Sequence, residues 1–174
     1  MRKFQVAVLG SSEANKEEIE VAYQVGKFIG ENNWILINGG RTGVMEASAK
    51  GCLEVKGISV GILPSANFEE GNNYLSIVIP TSIGFSRNVI TAISGDICII
   101  IGGSSGTLTE LAYAWNYGKK IICAAWVKGV SKDYAGKKLD YRRDYYIERA
   151  GDIDELKKII LQHYNLWAKK IQRI

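Results

Sequence analysis

Residues 96–101, Asp-Ile-Cys-Ile-Ile-Ile, run directly into Gly102-Gly103-Ser104-Ser105-Gly106-Thr107 and then into Leu108, Leu111, Ala112 and Trp115 at helical spacing. Five consecutive apolar residues leave no polar face. The strand they form must therefore be covered on both sides, which is the situation of a central strand in a parallel sheet. A strand that turns through glycines into an amphipathic helix is part of a βαβ unit, and the rest of the chain repeats the alternation.

Residues 4–9 read as the first strand. Asn15 and Glu18 stand at capping-box spacing ahead of Ile19, Ala22, Gly26 and Ile29, which share one face of a helix ending near 31–33. A second strand is expected at 34–37, a second helix at 44–55 and a third strand at 58–63, stopped by Pro64. A polar loop at 65–73 precedes a short strand at 76–79 and a helix at 85–94 with Val89, Ile90 and Ile93 inward. After the central strand and its helix, 120–126 is a buried strand, 127–143 is polar and basic, and 145–147 is a short edge strand. Asp152 caps a last helix whose Leu156, Ile159, Ile160, Tyr164 and Trp167 face the core. The pattern predicts an α/β fold, a doubly wound, mostly parallel, Rossmann-like sheet flanked by helices on both faces. With 174 residues and no linker, residues 1–174 read as a single nucleotide-binding domain.

Composition removes several classes. Hydrophobic residues make up 47% of the chain and prolines number two, which excludes disorder and fibrous repeats. The apolar stretch after Met1-Arg2-Lys3 stops at Gly10, short of a secretory leader, and no run approaches a membrane-spanning length, so a cytoplasmic protein without a membrane partner is expected. Cys52, Cys98 and Cys123 lie far apart in or beside apolar runs, and His163 is the sole histidine. Without metal-ligand spacing they read as reduced core thiols and a structural histidine, and no metal site is expected. The net charge of +4 is mostly dispersed. Only 128–143 concentrates it, with Lys132, Lys137, Lys138, Arg142 and Arg143 beside Tyr134 and Tyr141, and a solvated loop is a plainer reading of that run than a nucleic-acid surface.

Three loops follow strands and precede helices: Gly10-Ser11-Ser12, Asn38-Gly39-Gly40-Arg41-Thr42-Gly43, and Gly102 to Thr107. In a doubly wound sheet they share the carboxyl edge of the strands, where ligands bind. Free N–H groups and helix dipoles favour anions there, and glycines let the backbone approach phosphate oxygens. The candidate phosphate-binding residues are accordingly Gly10, Ser11, Ser12, Gly39, Gly40, Gly43, Gly102, Gly103, Ser104, Ser105, Gly106 and Thr107. No loop reads G-x-G-x-x-G or ends in Gly-Lys-Ser/Thr, so neither a standard dinucleotide fingerprint nor a P-loop is present.

Gly102-Gly103-Ser104-Ser105-Gly106-Thr107-Leu108-Thr109-Glu110, with Ser86-Arg87-Asn88 and Gly39-Gly40-Arg41-Thr42-Gly43-Val44-Met45 before it, resembles the LOG or "lysine decarboxylase-like" superfamily over residues 4–126. The resemblance implies binding of a nucleotide or phosphorylated cofactor, AMP-like or molybdopterin-like, as in the small molybdenum cofactor carriers. No cofactor is required, and lysine decarboxylation is not expected. One alternative it carries is hydrolysis of the N-glycosidic bond of a nucleoside 5′-monophosphate, with Arg87 and Glu110 as catalytic residues; another is a DNA-associated role on the same fold. Ile101 stands where the phosphoribohydrolases usually carry proline, and Asn88 where they carry lysine, and both departures point toward the carriers.

Glu110 has two readings: Thr107 and Glu110 are spaced as a capping box, whereas the resemblance turns Glu110 toward a ribose. Arg87 falls early in a helix, where a cation opposes the dipole unless it also grips a phosphate; otherwise it is a surface arginine. The helix carrying Leu108, Leu111, Ala112, Tyr113, Ala114, Trp115 and Tyr117 is apolar nearly all round. Together with Phe85, Val89, Ile90, Ala92 and Ile93 it predicts a homo-oligomer, a dimer or a dimer of dimers.

Overall fold

The computed structural model describes residues 2–171. In chain order the strands are β1 (Gln5–Gly10), β2 (Ile35–Asn38), β3 (Ile58–Leu63), β4 (Ile77–Pro80), β5 (Ile97–Ile101), β6 (Lys120–Ala124) and β7 (Glu148–Ala150). The helices are α1 (Lys16–Glu31), α2 (Val44–Glu54), α3 (Arg87–Ser94), α4 (Ser105–Asn116), α5 (Val130–Tyr134) and α6 (Ile153–Ile171). All seven strands pair in parallel, in the order β4-β3-β2-β1-β5-β6-β7. The order reverses between β1 and β5, which places the topological switch point there.

Alternate residues of the central strands feed two cores. Val6, Val8, Ile97, Ile99 and Ile101 pack with α1, α2 and α6, while Ala7, Leu9, Cys98 and Ile100 pack with α3, α4 and α5. All five residues of β5 are buried, so the sheet is covered on both faces at its centre. The three thiols lie inside, where burial pushes Cys98 and Cys123 up to about 12 and Cys52 up to about 11. His163 is half-buried with its Nε2 2.6 Å from Glu148 Oε1, a satisfied structural position.

The capping box at Asn15 and Glu18 forms as its spacing predicts, and Asp152 Oδ1 accepts from the Glu155 N–H at the start of α6. Elsewhere local pattern and packing part company. Ile19 is exposed, because the buried stripe of α1 runs through Glu18, Val21, Ala22, Val25, Gly26 and Ile29. The inward residues of α3 are Arg87, Asn88, Thr91 and Ala92; Val89, Ile90 and Ile93 are only half-buried. The helix has turned its polar residues inward because its start faces the crevice at the strand ends. Within 127–143 the chain forms α5, whose Val130 and Ser131 are buried, and the last strand lies at 148–150 instead of 145–147.

Beyond α3 the sheet is bare. Ile77 and Ile79 pair in register with Val60 and Ile62 of β3 and so share their face, yet they remain exposed, along with Ile83 and Phe85. No helix among the described residues is long and apolar enough to cross a membrane.

Candidate functional site

The carboxyl ends of β1 and β5 diverge into a crevice lined by Gly10, Ser11, Ser12, Arg41, Met45, Phe85, Arg87, Asn88, Ser104, Gly106, Thr107 and Glu110. Eight of the residues singled out from the sequence therefore meet on its wall: Gly10, Ser11, Ser12, Arg87, Ser104, Gly106, Thr107 and Glu110. Arg41, Met45, Phe85 and Asn88 join them without having been singled out. The sequence signal for Arg41 was a charged side chain inside a glycine loop.

Arg87 is the first residue of α3, and its side chain is nine-tenths buried. It lies over Gly39, where an added Cβ would run into the guanidinium, so glycine here makes room for the arginine. Nη1 donates to Thr91 Oγ1 at 3.3 Å and sits 3.6 Å from Glu110 Oε1, while Nε is buried with no hydrogen-bond partner. A buried, half-satisfied guanidinium is costly in a folded chain, and its place on the crevice wall makes Arg87 a candidate partner for an anion. The surface-arginine reading of Arg87 is thereby overturned.

Glu110 sits in the second turn of α4, 7% exposed. The helix begins at Ser105, three residues earlier than a Thr107 cap requires, and no side chain caps it. The capping-box reading of Thr107 and Glu110 is therefore incorrect: Thr107 lies inside the helix, and Glu110 is free to face Arg87. Burial pushes the Glu110 carboxyl up to about 8, opposed only in part by Arg87, and burial likewise lowers the proton affinity of Arg87. Burial thus favours the neutral form of Glu110. The uncapped start of a 12-residue helix adds unsatisfied N–H groups and positive dipole to the same wall.

The remaining glycines act behind the wall. The Gly102 N–H donates to Ser131 Oγ at 2.9 Å and its carbonyl accepts from Ser131 N–H; the Gly103 N–H donates to Glu18 Oε1 at 3.1 Å and its carbonyl accepts from Val130 N–H. All four polar groups of the glycine pair are spent inside the protein, and the carboxylate of Glu18 already holds the N–H that an anion would need. The Gly40 N–H donates to Asn38 Oδ1, and Gly43 packs against the carbonyls of Ser11 and Ser12. Ser105 is exposed at the helix start, outside the crevice lining.

The basic segment starts beside the glycine pair, through α5, and runs on to the far end of α4. Arg143 donates to the carbonyls of Trp115 and Asn116 at the far end of α4, Arg142 pairs with Asp140, and Lys138 reaches Asp144. Asp140 also accepts from Trp115 Nε1. Arg143 therefore fastens the segment to the end of α4, while Arg142 and Lys138 are paired locally with Asp140 and Asp144.

A model of the SLOG cluster4 family matches residues 3–152. A protein of Archaeoglobus fulgidus is 43% identical over 70% of this chain and 80% of its own length. The cytokinin riboside 5′-monophosphate phosphoribohydrolase of Mycobacterium tuberculosis is 31% identical over 62% of this chain and 59% of its own. Among solved structures, the molybdenum cofactor carrier protein of Chlamydomonas reinhardtii superposes with a TM-score of 0.83 at 27% identity, over 94% of this chain and 99% of that one. The Rossmann-like fold expected from the sequence is shared with these structures.

Proposed function

The chain belongs to the SLOG cluster4 family, and we propose that it binds a small phosphorylated ligand, an AMP-like nucleotide or a molybdopterin-type cofactor, in the crevice between β1 and β5 as a carrier. The observation that carries this reading is Arg87: a buried cation with an orphaned Nε, on the same crevice wall as the uncapped start of α4. Such a wall asks for an oxyanion. The residues fit a molybdenum cofactor through its phosphate end. The likeness to the Chlamydomonas carrier supports the carrier reading.

The test is native mass spectrometry of the freshly purified protein, followed by thermal unfolding with AMP, other nucleotides and pterin phosphates, since a ligand that binds only the native state raises Tm. Arg87→Ala should weaken binding about tenfold or more by removing a charge-assisted partner. Unchanged unfolding with every one of these ligands would overturn the proposal.

Hydrolysis of a nucleoside 5′-monophosphate is the second reading, favoured by Glu110 beside Arg87. Cleavage through an oxocarbenium-like state calls for a carboxylate near the anomeric carbon, and burial that disfavours the charge of Glu110 works against that role, so turnover is expected to be slow or absent. Rapid release of free base from AMP, lost in Glu110→Gln, would establish the hydrolase instead.

The protein also assembles with itself in this proposal. Residues 76–95 contain one charged side chain, Arg87, and it is buried; the exposed Ile77, Ile79, Ile83 and Phe85 lie in the same run. A charge-free apolar face is its own complement about a twofold axis. Sedimentation showing a monomer at micromolar concentration would refute this assembly.

A further inference from the structure

We propose that Arg41 is the second cation of the crevice, and that Arg41 and Arg87 together select a doubly charged phosphomonoester over a singly charged phosphodiester; the inference rests on the phosphate-binding reading above. Arg41 occupies a loop held from several sides. Asn72 Nδ2 donates to the carbonyls of Gly40 and Arg41 at 3.2 and 2.9 Å, the Gly40 N–H donates to Asn38 Oδ1 at 2.8 Å, and Thr42 Oγ1 donates to Ser12 O at 3.0 Å. The backbone is fixed, and Arg41, exposed, lines the crevice.

Its charge is felt by Arg87, whose proton affinity it lowers. Like charges that face one crevice raise each other's energy until an anion joins them. The Arg41 guanidinium makes no salt bridge among the described residues. Glu46, Glu69 and Glu70 flank Arg41 on its outer side, in an adjoining depression shared with Thr42 and Asn72. They are solvated or half-solvated carboxylates, whereas the crevice holds the buried cation Arg87.

Burial disfavours the charge of Glu110, and the wall presents the two cations Arg41 and Arg87. A phosphomonoester dianion balances both; a phosphodiester balances one and leaves the other facing it. Arg41 thus reads the charge state of the ligand, whatever group the phosphate carries.

The test is calorimetric titration of AMP and of 3′,5′-cyclic AMP, which share base and ribose but differ in phosphate charge, into wild type, Arg41→Gln, Arg41→Lys and Arg87→Ala at pH 7.5. Wild type should prefer AMP by about tenfold or more, and Arg41→Gln should lower AMP affinity about tenfold while leaving cyclic AMP within about twofold. Arg41→Lys, which keeps the charge, should retain most of the preference. If wild type binds neither nucleotide nor inorganic phosphate, the phosphate-binding reading falls and this inference falls with it. AMP binding that needs Arg87 but is indifferent to Arg41, or an Arg41→Gln loss equal for both nucleotides, overturns this inference alone.

Discussion

The six residues after β5 divide into two halves with opposite allegiances. Gly102 and Gly103 adopt φ of 56° and 94° and give their peptide groups to Glu18, Val130 and Ser131. Ser104, Gly106 and Thr107 face the crevice at an uncapped helix start. The first half is an anchor and the second a surface. A glycine can be needed because of the backbone shape it permits or because of the space its missing side chain leaves; Gly102 and Gly103 answer both needs and Gly106 neither.

The largest expected effect falls on the anchor. At Gly103 an added Cβ would combine a left-handed φ with a 2.5 Å approach to Thr107, so Gly103→Ala should cost stability by about 1–3 kcal/mol or more in urea unfolding. An unchanged midpoint would break the distinction between the halves.

Next comes the pH dependence at Glu110. Its carboxyl, ordinarily near 4.5, is raised to about 8 in the fold, so the folded chain keeps a proton that the unfolded chain has already released. This contribution is fully present below pH 4.5 and is lost as pH rises through about 8. Relative to Glu110→Gln, wild type should lose stability across that window by at most about 1.4 kcal/mol per pH unit, and parallel stability curves for the two proteins would argue against a buried acid. Glutamine also preserves the shape of the site, so nucleotide binding at pH 7 should survive nearly intact.

The smallest effect sharpens the comparison from the other side. An added Cβ at Gly106 meets nothing within 4 Å and its backbone is ordinary helix. Gly106→Ala should therefore raise stability by about 0.5–1 kcal/mol while weakening ligand binding, because the methyl group would stand in the crevice. A variant that loses stability, or binds as wild type does, would show that Gly106 is not a surface residue of the kind described.

Much of the fold was legible. β5 announced itself by five apolar residues in a row, and the start of α1 by Asn15 and Glu18, because those signals are local. What escaped reading was tertiary. Glu18 also accepts from the Gly103 N–H, a partner 85 positions away. Arg87 looked like a surface residue by type, yet the crevice reverses the usual polarity of α3. The Thr107–Glu110 spacing imitated a cap because two threonine-to-glutamate turns look alike until the helix start is known. The five residues of α5 hid in a charged run, where a short helix leaves almost no periodicity. The loops were placed at the correct edge, and their glycines were counted as one kind although they serve two.

The pairing of β1 with β5 joins Val6 to Ile97, which are 97 − 6 = 91 residues apart. Ser11, Ser12, Arg41 and Arg87 belong to the part of the chain that precedes this closure, and Ser104, Thr107 and Glu110 to the part that follows. Neither part holds the cations and the helix start together, so the crevice comes into being only when a long loop of chain has closed, late and at an entropic cost. A ligand lodged across that seam links the two halves of the molecule. Its release and the parting of β1 from β5 become coupled events, and occupancy should slow hydrogen exchange most in the amides of these two strands.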